Sequence, residues 1–145
     1  MKLLLVSATI TEIKPLLDFF SFKEGHNTLQ SKEVYVLITG VGMVATAFAL
    51  GKELSAARFD LAINAGIAGS FNREIPLGEV VCVKEDCFAE LGAEDGEEFL
   101  SIDELGFGQA RAIPSDYEFS PPSLQKVKGI RVNKVHGNQQ SIQRT

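Results

Sequence analysis

The sequence has little cysteine, no long hydrophobic run and no excess of basic charge, and each absence excludes a class of protein. Two cysteines in 145 residues, Cys82 and Cys87, do not suggest a disulfide framework, and their Cys-x4-Cys spacing without a second ligand pair makes a poor metal site. No apolar run approaches the roughly 20 residues that cross a bilayer. A formal net charge of −5 disfavours nucleic acid as a partner. We expect a cytoplasmic protein with structural thiols, no metal or cofactor, and no membrane or nucleic-acid partner.

Short apolar runs alternate with helical patterns along the chain. Two segments predict helices: 11–20, an amphipathic stripe with Thr11 as N-cap, and 43–57, rich in small residues. The apolar runs predict buried strands at 2–8, 34–40, 59–66 and 77–85, with a last strand at 128–137. This alternation predicts an α/β fold with a largely parallel, twisted central sheet, and the length fits a single domain over 1–145.

Three of the predicted strands end in small or polar residues, in the stretches "SATITE", "TGVGM" and "NAGIAGS". Ligands of open α/β sheets bind beyond the carboxyl ends of the strands. Glycines at these ends let backbone amides approach a ligand closely. We therefore expect the three stretches to gather on one rim of the sheet, at the carboxyl ends of its strands, and to form a small-molecule cleft there.

The glycine turn also matches G-x-G-x-x-A, the spacing of a dinucleotide-binding turn, at Gly40, Gly42 and Ala45. That fingerprint needs an acid at the carboxyl end of the next strand. Here the next strand ends in "INAG", with Asn64 and no acid, and Asp60 stands at the beginning of that strand, so it should face the opposite rim of the sheet. The pattern therefore disfavours NAD, although it does not exclude a nicotinamide-dinucleotide domain.

Five stretches, taken in order, carry a resemblance to a known family: "ATITE", "TGVGMVATAFAL", "INAGIAGSF", "IPLGEVVCV" and "GIRVNKVHGN". Together they resemble the nucleoside phosphorylase/nucleosidase superfamily. Within it the chain looks like the methylthioadenosine/S-adenosylhomocysteine nucleosidases. It looks more like the futalosine hydrolases of menaquinone biosynthesis, because of the acidic insert "AELGAEDGEEF…IDELGFG". The resemblance implies a three-layer α/β/α fold, a homo-oligomer of two or more subunits, and hydrolysis of the N-ribosidic bond of a purine nucleoside.

The resemblance also implies which residues form the site. Glu12 matches the family's water-activating glutamate; without the resemblance it reads as a first-turn acid that complements the helix dipole. Ribose and its 5′ group should be lined by Thr9, Val41 and Gly42. The purine ring should meet Ile67, Ala68 and Gly69. Because the loop "SATITE" has no cation to seat phosphate, water is the expected nucleophile.

The family pattern continues beyond the last stretch that matches here. The resemblance implies a later Met-Glu pair at the ribose hydroxyls and an aspartate that protonates the departing purine, and the sequence contains no Met-Glu pair. The chain is therefore expected to be truncated relative to the family at its C-terminal side and, by itself, inactive or impaired. A fragment that binds a nucleoside or base without turnover is the alternative.

Residues 85–110 contain nine acids and no lysine or arginine. Such a run is usually a solvated face; the alternative is that Glu90 or Asp95 faces the ligand or a partner subunit. His136 follows the last strand, where it is either an ordinary strand-end histidine or a ligand contact.

Overall fold

The computed structural model describes residues 1–114, 121, 123–135 and 137–142 of the chain. The chain forms two compact units, Met1–Gly69 and Ser70–Thr145. The organisation of residues 1–145 as a single domain stays a prediction.

The first unit holds a four-stranded sheet and two long helices. Its elements are β1 (Lys2–Ser7), α1 (Ile10–Phe20), β2 (Gly25–Leu29), β3 (Lys32–Ile38), α2 (Met43–Ala56) and β4 (Leu61–Asn64). The strand order is β2-β3-β1-β4, with β1 parallel to both β3 and β4 and β2 antiparallel to β3. The predicted parallel strands are thus present, and β2 adds an antiparallel edge.

The order of the strands decides where the helices lie. The β1-α1-β3 connection moves to one side of β1, and the β3-α2-β4 connection returns across β1 to its other side. Parallel crossovers are right-handed in nearly all proteins, and with that handedness this strand order corresponds to helices on opposite faces of the sheet. It is the order of the α/β/α layers that the sequence analysis expected.

β1 is the centre of this unit because it is apolar on both faces. The face toward α1 forms the core cluster of Leu5, Ile13, Leu17, Val34 and Val36. Leu4 and Val6 alternate to the other face and are 0% and 5% exposed. A continuous apolar run was the correct signal for a strand buried on both sides.

α1 begins earlier than predicted. Its N-cap is Thr9, in extended conformation, and the Thr9 hydroxyl accepts a hydrogen bond from the Glu12 amide at 3.4 Å. The prediction of Thr11 as N-cap is wrong because Thr9 reaches the free amide three residues on, which is the preferred capping geometry. Helix α1 therefore starts immediately after β1, and this brings Glu12 back toward the strand end.

The second unit holds a three-stranded sheet, a two-stranded hairpin and a short helix. Its elements are β5 (Val81–Phe88), β6 (Gly92–Asp95), β7 (Glu98–Ser101), β8 (Arg111–Ala112), β9 (Gln125–Arg131) and α3 (Gln139–Ile142). β5 pairs with β9 in parallel and with β8 antiparallel, and β6 pairs with β7. Both cysteines are half-buried thiols on β5.

The acidic segment divides into paired and exposed carboxylates. Glu85 forms ion pairs with Lys128 at 3.1 Å and Arg111 at 3.7 Å, and Asp86 pairs with Arg131 at 2.5 Å. The hydrogen bond from Lys128 is the main reason that the pKa of Glu85 lies below its ordinary value. The hairpin carboxylates are exposed instead, as a solvated face would be.

Candidate functional site

Three strand ends meet at one edge of the first unit's sheet. The Ser7 carbonyl accepts a hydrogen bond from the Thr39 amide at 2.9 Å, beyond the end of β3. On the other side, the Val6 carbonyl accepts one from the Ala65 amide at 2.9 Å, beyond the end of β4. The expectation that the three stretches gather on one rim is met in the structure.

Glu12 lies on this rim in the first turn of α1. Its side chain is half-buried, and its Oε2 is 3.3 Å from the hydroxyl oxygen of Ser7, the last residue of β1. A Cβ added to Gly66 would lie 2.7 Å from the same Oε2. The carboxylate is therefore held between the end of β1 and the glycine corner that follows β4.

Ser7 and Gly66 were not recognised as site residues from the sequence. Ser7 is 0% exposed and its hydroxyl also lies 3.1 Å from the Thr9 carbonyl oxygen. Gly66 has room for its hydrogen but not for a methyl group, because the carboxylate of Glu12 occupies that space. A serine that closes an apolar strand is a weak signal, since small polar residues end many strands without a ligand nearby.

The second glycine corner follows β3. Gly40 and Gly42 have φ angles of 80° and 103°, which only glycine adopts easily, and the Gly40 amide donates to the Ala8 carbonyl at 3.1 Å. Val41 is 77% exposed at the tip of this turn. Gly42 then caps the N-terminus of α2. The turn joins the rim through Ala8, next to Ser7.

The structure gives no additional support to the hypothesis that the glycine turn binds a dinucleotide. Asp60 accepts a hydrogen bond from the Lys2 amide at 2.6 Å. Lys2 begins β1, so Asp60 lies at the edge of the sheet opposite the glycine turn, as predicted. Asn64 ends β4, where a ribose-binding acid would be needed.

The remaining predicted contacts follow Gly66 directly. Ile67 is 81% exposed, and Ala68 and Gly69 are also exposed. They share the corner with the Glu12 carboxylate, but their roles, like those of Thr9, Val41 and Gly42, stay predictions. His136 lies outside the described residues. Glu90 accepts a hydrogen bond from the Asn133 amide at 2.8 Å, and Asp95 is exposed on the β6–β7 hairpin.

Within the described part of the chain, no three histidine, cysteine or acidic residues are grouped so that they could hold a metal ion. Among the same residues, no helix has both the length and the apolar character needed to span a membrane.

A carboxylate set among glycine corners at the carboxyl edge of a parallel sheet is typical of α/β enzymes that bind small molecules. The chain belongs to the phosphorylase superfamily, whose family model matches residues 5–139.

Two curated relatives are similar to this chain. One is a futalosine hydrolase from Streptomyces coelicolor, 41% identical over 56 residues that cover 39% of this chain and 24% of the relative. The other is a 5′-methylthioadenosine/S-adenosylhomocysteine nucleosidase from Buchnera aphidicola, 24% identical over 132 residues that cover 87% of this chain and 50% of the relative. The matches thus span half or less of each curated relative.

Solved structures show the same fold. The methylthioadenosine nucleosidase of Helicobacter pylori matches with a TM-score of 0.73 at 13% identity, covering 99% of this chain and 72% of that one. A second Helicobacter pylori structure, with a substituted pyrrolidin-3-ol bearing a deazapurine, matches with a TM-score of 0.58 at 15% identity over 90% of this chain and 62% of that one. The predicted fold and superfamily are confirmed.

Proposed function

We propose that this protein hydrolyses the N-ribosidic bond of a purine nucleoside, with Glu12 orienting the attacking water. The position of the Glu12 carboxylate, against the Gly66 corner at the rim where three strand ends meet, is the observation that carries this proposal. The family relationship supports it, because one curated relative is named a futalosine hydrolase and the other a nucleosidase.

The reaction needs a carboxylate at this place. Breaking the bond between ribose and purine passes through a state in which positive charge grows on the sugar, and a fixed carboxylate beside the sugar stabilises that charge. Glu12 also accepts a hydrogen bond from water, so that the water oxygen is directed at the anomeric carbon. Hydroxide adds to that carbon as the bond to the base breaks, and the remaining proton leaves with the purine.

Water is favoured over phosphate as the nucleophile. The loop from Ser7 to Glu12 contains no lysine or arginine, so it offers no cation to a phosphate dianion. The carboxylate of Glu12 would repel that dianion at short range. These two features support a hydrolase rather than a phosphorylase.

We assign the rest of the site as follows. Thr9, Val41 and Gly42 line the ribose and its 5′ substituent, and Ile67, Ala68 and Gly69 meet the purine. The exposure of Val41 and Ile67, 77% and 81%, supports this assignment, since apolar side chains at a rim gain most when a ligand covers them. The proposed substrate is of the futalosine type, which would place the protein in menaquinone biosynthesis in the cytoplasm; a methylthioadenosine or S-adenosylhomocysteine substrate is the alternative.

Binding is the first test because it does not depend on turnover, and the expectation that this chain alone is impaired stays a prediction. Calorimetry should show binding of futalosine, with methylthioadenosine, adenine and NADH measured beside it. Chromatography of the same mixtures after hours should then detect any free purine base. Binding of NADH without binding of any nucleoside would overturn the proposal in favour of a dinucleotide-binding domain. Binding of a nucleoside without release of free base would support the alternative, a fragment that binds its ligand without turnover.

We also propose that the protein is a homo-oligomer that associates through α2. The helix has no buried residue, and Val44 and Phe48, one turn apart, are 84% and 76% exposed. Ala47 and Gly51 complete the same stripe and are exposed too. Small side chains beside large apolar ones allow a second helix to pack closely, so a second copy of this helix is the proposed occupant.

Replacing Phe48 by lysine should convert the oligomer to a monomer, because the stripe would then bury an unpaired charge on association. Light scattering after gel filtration gives the mass directly. Phe19→Lys is the matched control, since Phe19 is 81% exposed on α1 and should leave the mass unchanged. A wild-type protein that is monomeric at every concentration would contradict the proposal.

A further inference from the structure

Ser7 is a buried polar residue at the end of an otherwise apolar strand. It is 0% exposed, and its hydroxyl oxygen lies 3.1 Å from the Thr9 carbonyl oxygen and 3.3 Å from Glu12 Oε2. A serine hydroxyl has a single proton, so it donates to one of these acceptors at a time. Both partners belong to the segment that carries the proposed water-orienting carboxylate.

Packing alone does not account for the hydroxyl. A buried hydroxyl costs free energy unless it is hydrogen-bonded, whereas alanine would fill nearly the same space without that cost. The Ser7 backbone carbonyl is already engaged by the Thr39 amide, so it already fixes the strand end. What the side chain adds is its contact with the β1–α1 loop and with Glu12.

The two oxygens of Glu12 have different surroundings. Oε2 is the oxygen that approaches Ser7, and it also occupies the space beside Gly66. The Ser7 hydroxyl and the Gly66 backbone both lie next to Oε2, and together they fix the rotation of the carboxylate group. With Oε2 held in this way, Oε1 is the oxygen left for a water molecule in the proposed reaction.

We propose that Ser7 is a positioning residue: its hydroxyl donates to Glu12 Oε2 and so turns Oε1 toward the water and the sugar. This inference rests on the proposed function of Glu12. The distances are longer than the 2.7–2.8 Å typical of such bonds, and contacts of this kind tighten when a ligand is bound. Donation to a carboxylate is charge-assisted and stronger than donation to the Thr9 carbonyl.

The test compares two ligands that differ in charge at the sugar. One is the neutral nucleoside, and the other is a deazapurine carrying a pyrrolidinol, whose ring nitrogen is protonated at neutral pH. A correctly held carboxylate favours the cation, so the wild type should bind the pyrrolidinol more tightly. Ser7→Ala should reduce this preference about 10-fold while the dissociation constant of the neutral nucleoside changes less than about twofold.

Two further variants separate positioning from packing. Ser7→Thr keeps the hydroxyl and should restore the preference for the cation. Thr39→Val removes a different buried hydroxyl on the same rim, one that contacts the Ser7 carbonyl and Thr46, and should leave the preference unchanged. An unchanged preference in Ser7→Ala, or an equal loss of affinity for both ligands, would overturn the inference.

A failure of the proposed function has a different signature. If the wild type binds neither ligand, the function is wrong, yet the contact is still measurable without a ligand. Thermal unfolding of the wild type, Ser7→Ala, Glu12→Ala and the double variant then gives a double-mutant cycle. If the two losses in melting temperature simply add, the Ser7–Glu12 contact is absent and the inference falls as well.

Discussion

Glu12→Gln is expected to abolish the preference for a cationic sugar analogue and to lower whatever release of purine base this chain retains by about 10²- to 10⁴-fold. The amide has the shape of the carboxylate but no charge, so it cannot stabilise the positive sugar in the transition state. Nor does it serve as a base toward water. Neutral nucleoside should still bind, because the glycine corners and the apolar rim are unchanged.

The release of purine base is measured by chromatography over several hours. Calorimetry gives the affinities for the neutral and the cationic ligand in parallel. Glu24→Gln is the matched control: Glu24 is exposed in the same unit, and its substitution changes the net charge by the same amount. A Glu12→Gln protein that keeps the cation preference would show that the carboxylate is an ordinary first-turn acid stabilising the helix.

The sequence predicted the elements that the hydrophobic pattern dominates. β1 and α2 were placed within two residues because a continuous apolar run and a long helical segment are unambiguous. The hairpin Gly92–Asp95 with Glu98–Ser101 was missed, since acidic, exposed strands have no alternation to detect. Its signal was Gly96, the first residue of the two-residue loop between Asp95 and Glu98, where hairpin turns need a positive φ, and Gly96 has a φ of 67°.

The site was predictable in its backbone but not in its contacts. Parallel strand ends share an edge by topology, so the gathering of three corners followed from the order of the elements. Glu12 came from the family resemblance. The contact of its carboxylate with Ser7 and Gly66 could not be predicted, because it depends on where Thr9 starts the helix and on a pairing between β1 and β4, whose residues lie more than 50 positions apart.

Gly66→Ala is expected to reduce base release and the cation preference nearly as much as Glu12→Gln does. The new methyl carbon would lie 2.7 Å from Glu12 Oε2, far inside contact distance, so the carboxylate must rotate away from its place between Ser7 and the corner. The side chain is flexible and half-buried, so it can move at little cost in stability. We therefore expect a large loss of function, about 10²-fold or more, with the melting temperature nearly unchanged.

Gly108→Ala is the control for this substitution. Gly108 belongs to the second unit and has no positive φ, and an added methyl group there would meet only Ile102 within 4 Å, at an ordinary contact distance of 3.7 Å. Circular dichroism on heating and ligand calorimetry on both variants complete the comparison. If Gly66→Ala instead unfolds early while its ligand preference survives, the corner is structural and the carboxylate acts from another position. If both properties survive, the glycine is not needed to seat Glu12, and the carboxylate does not depend on this corner for its orientation.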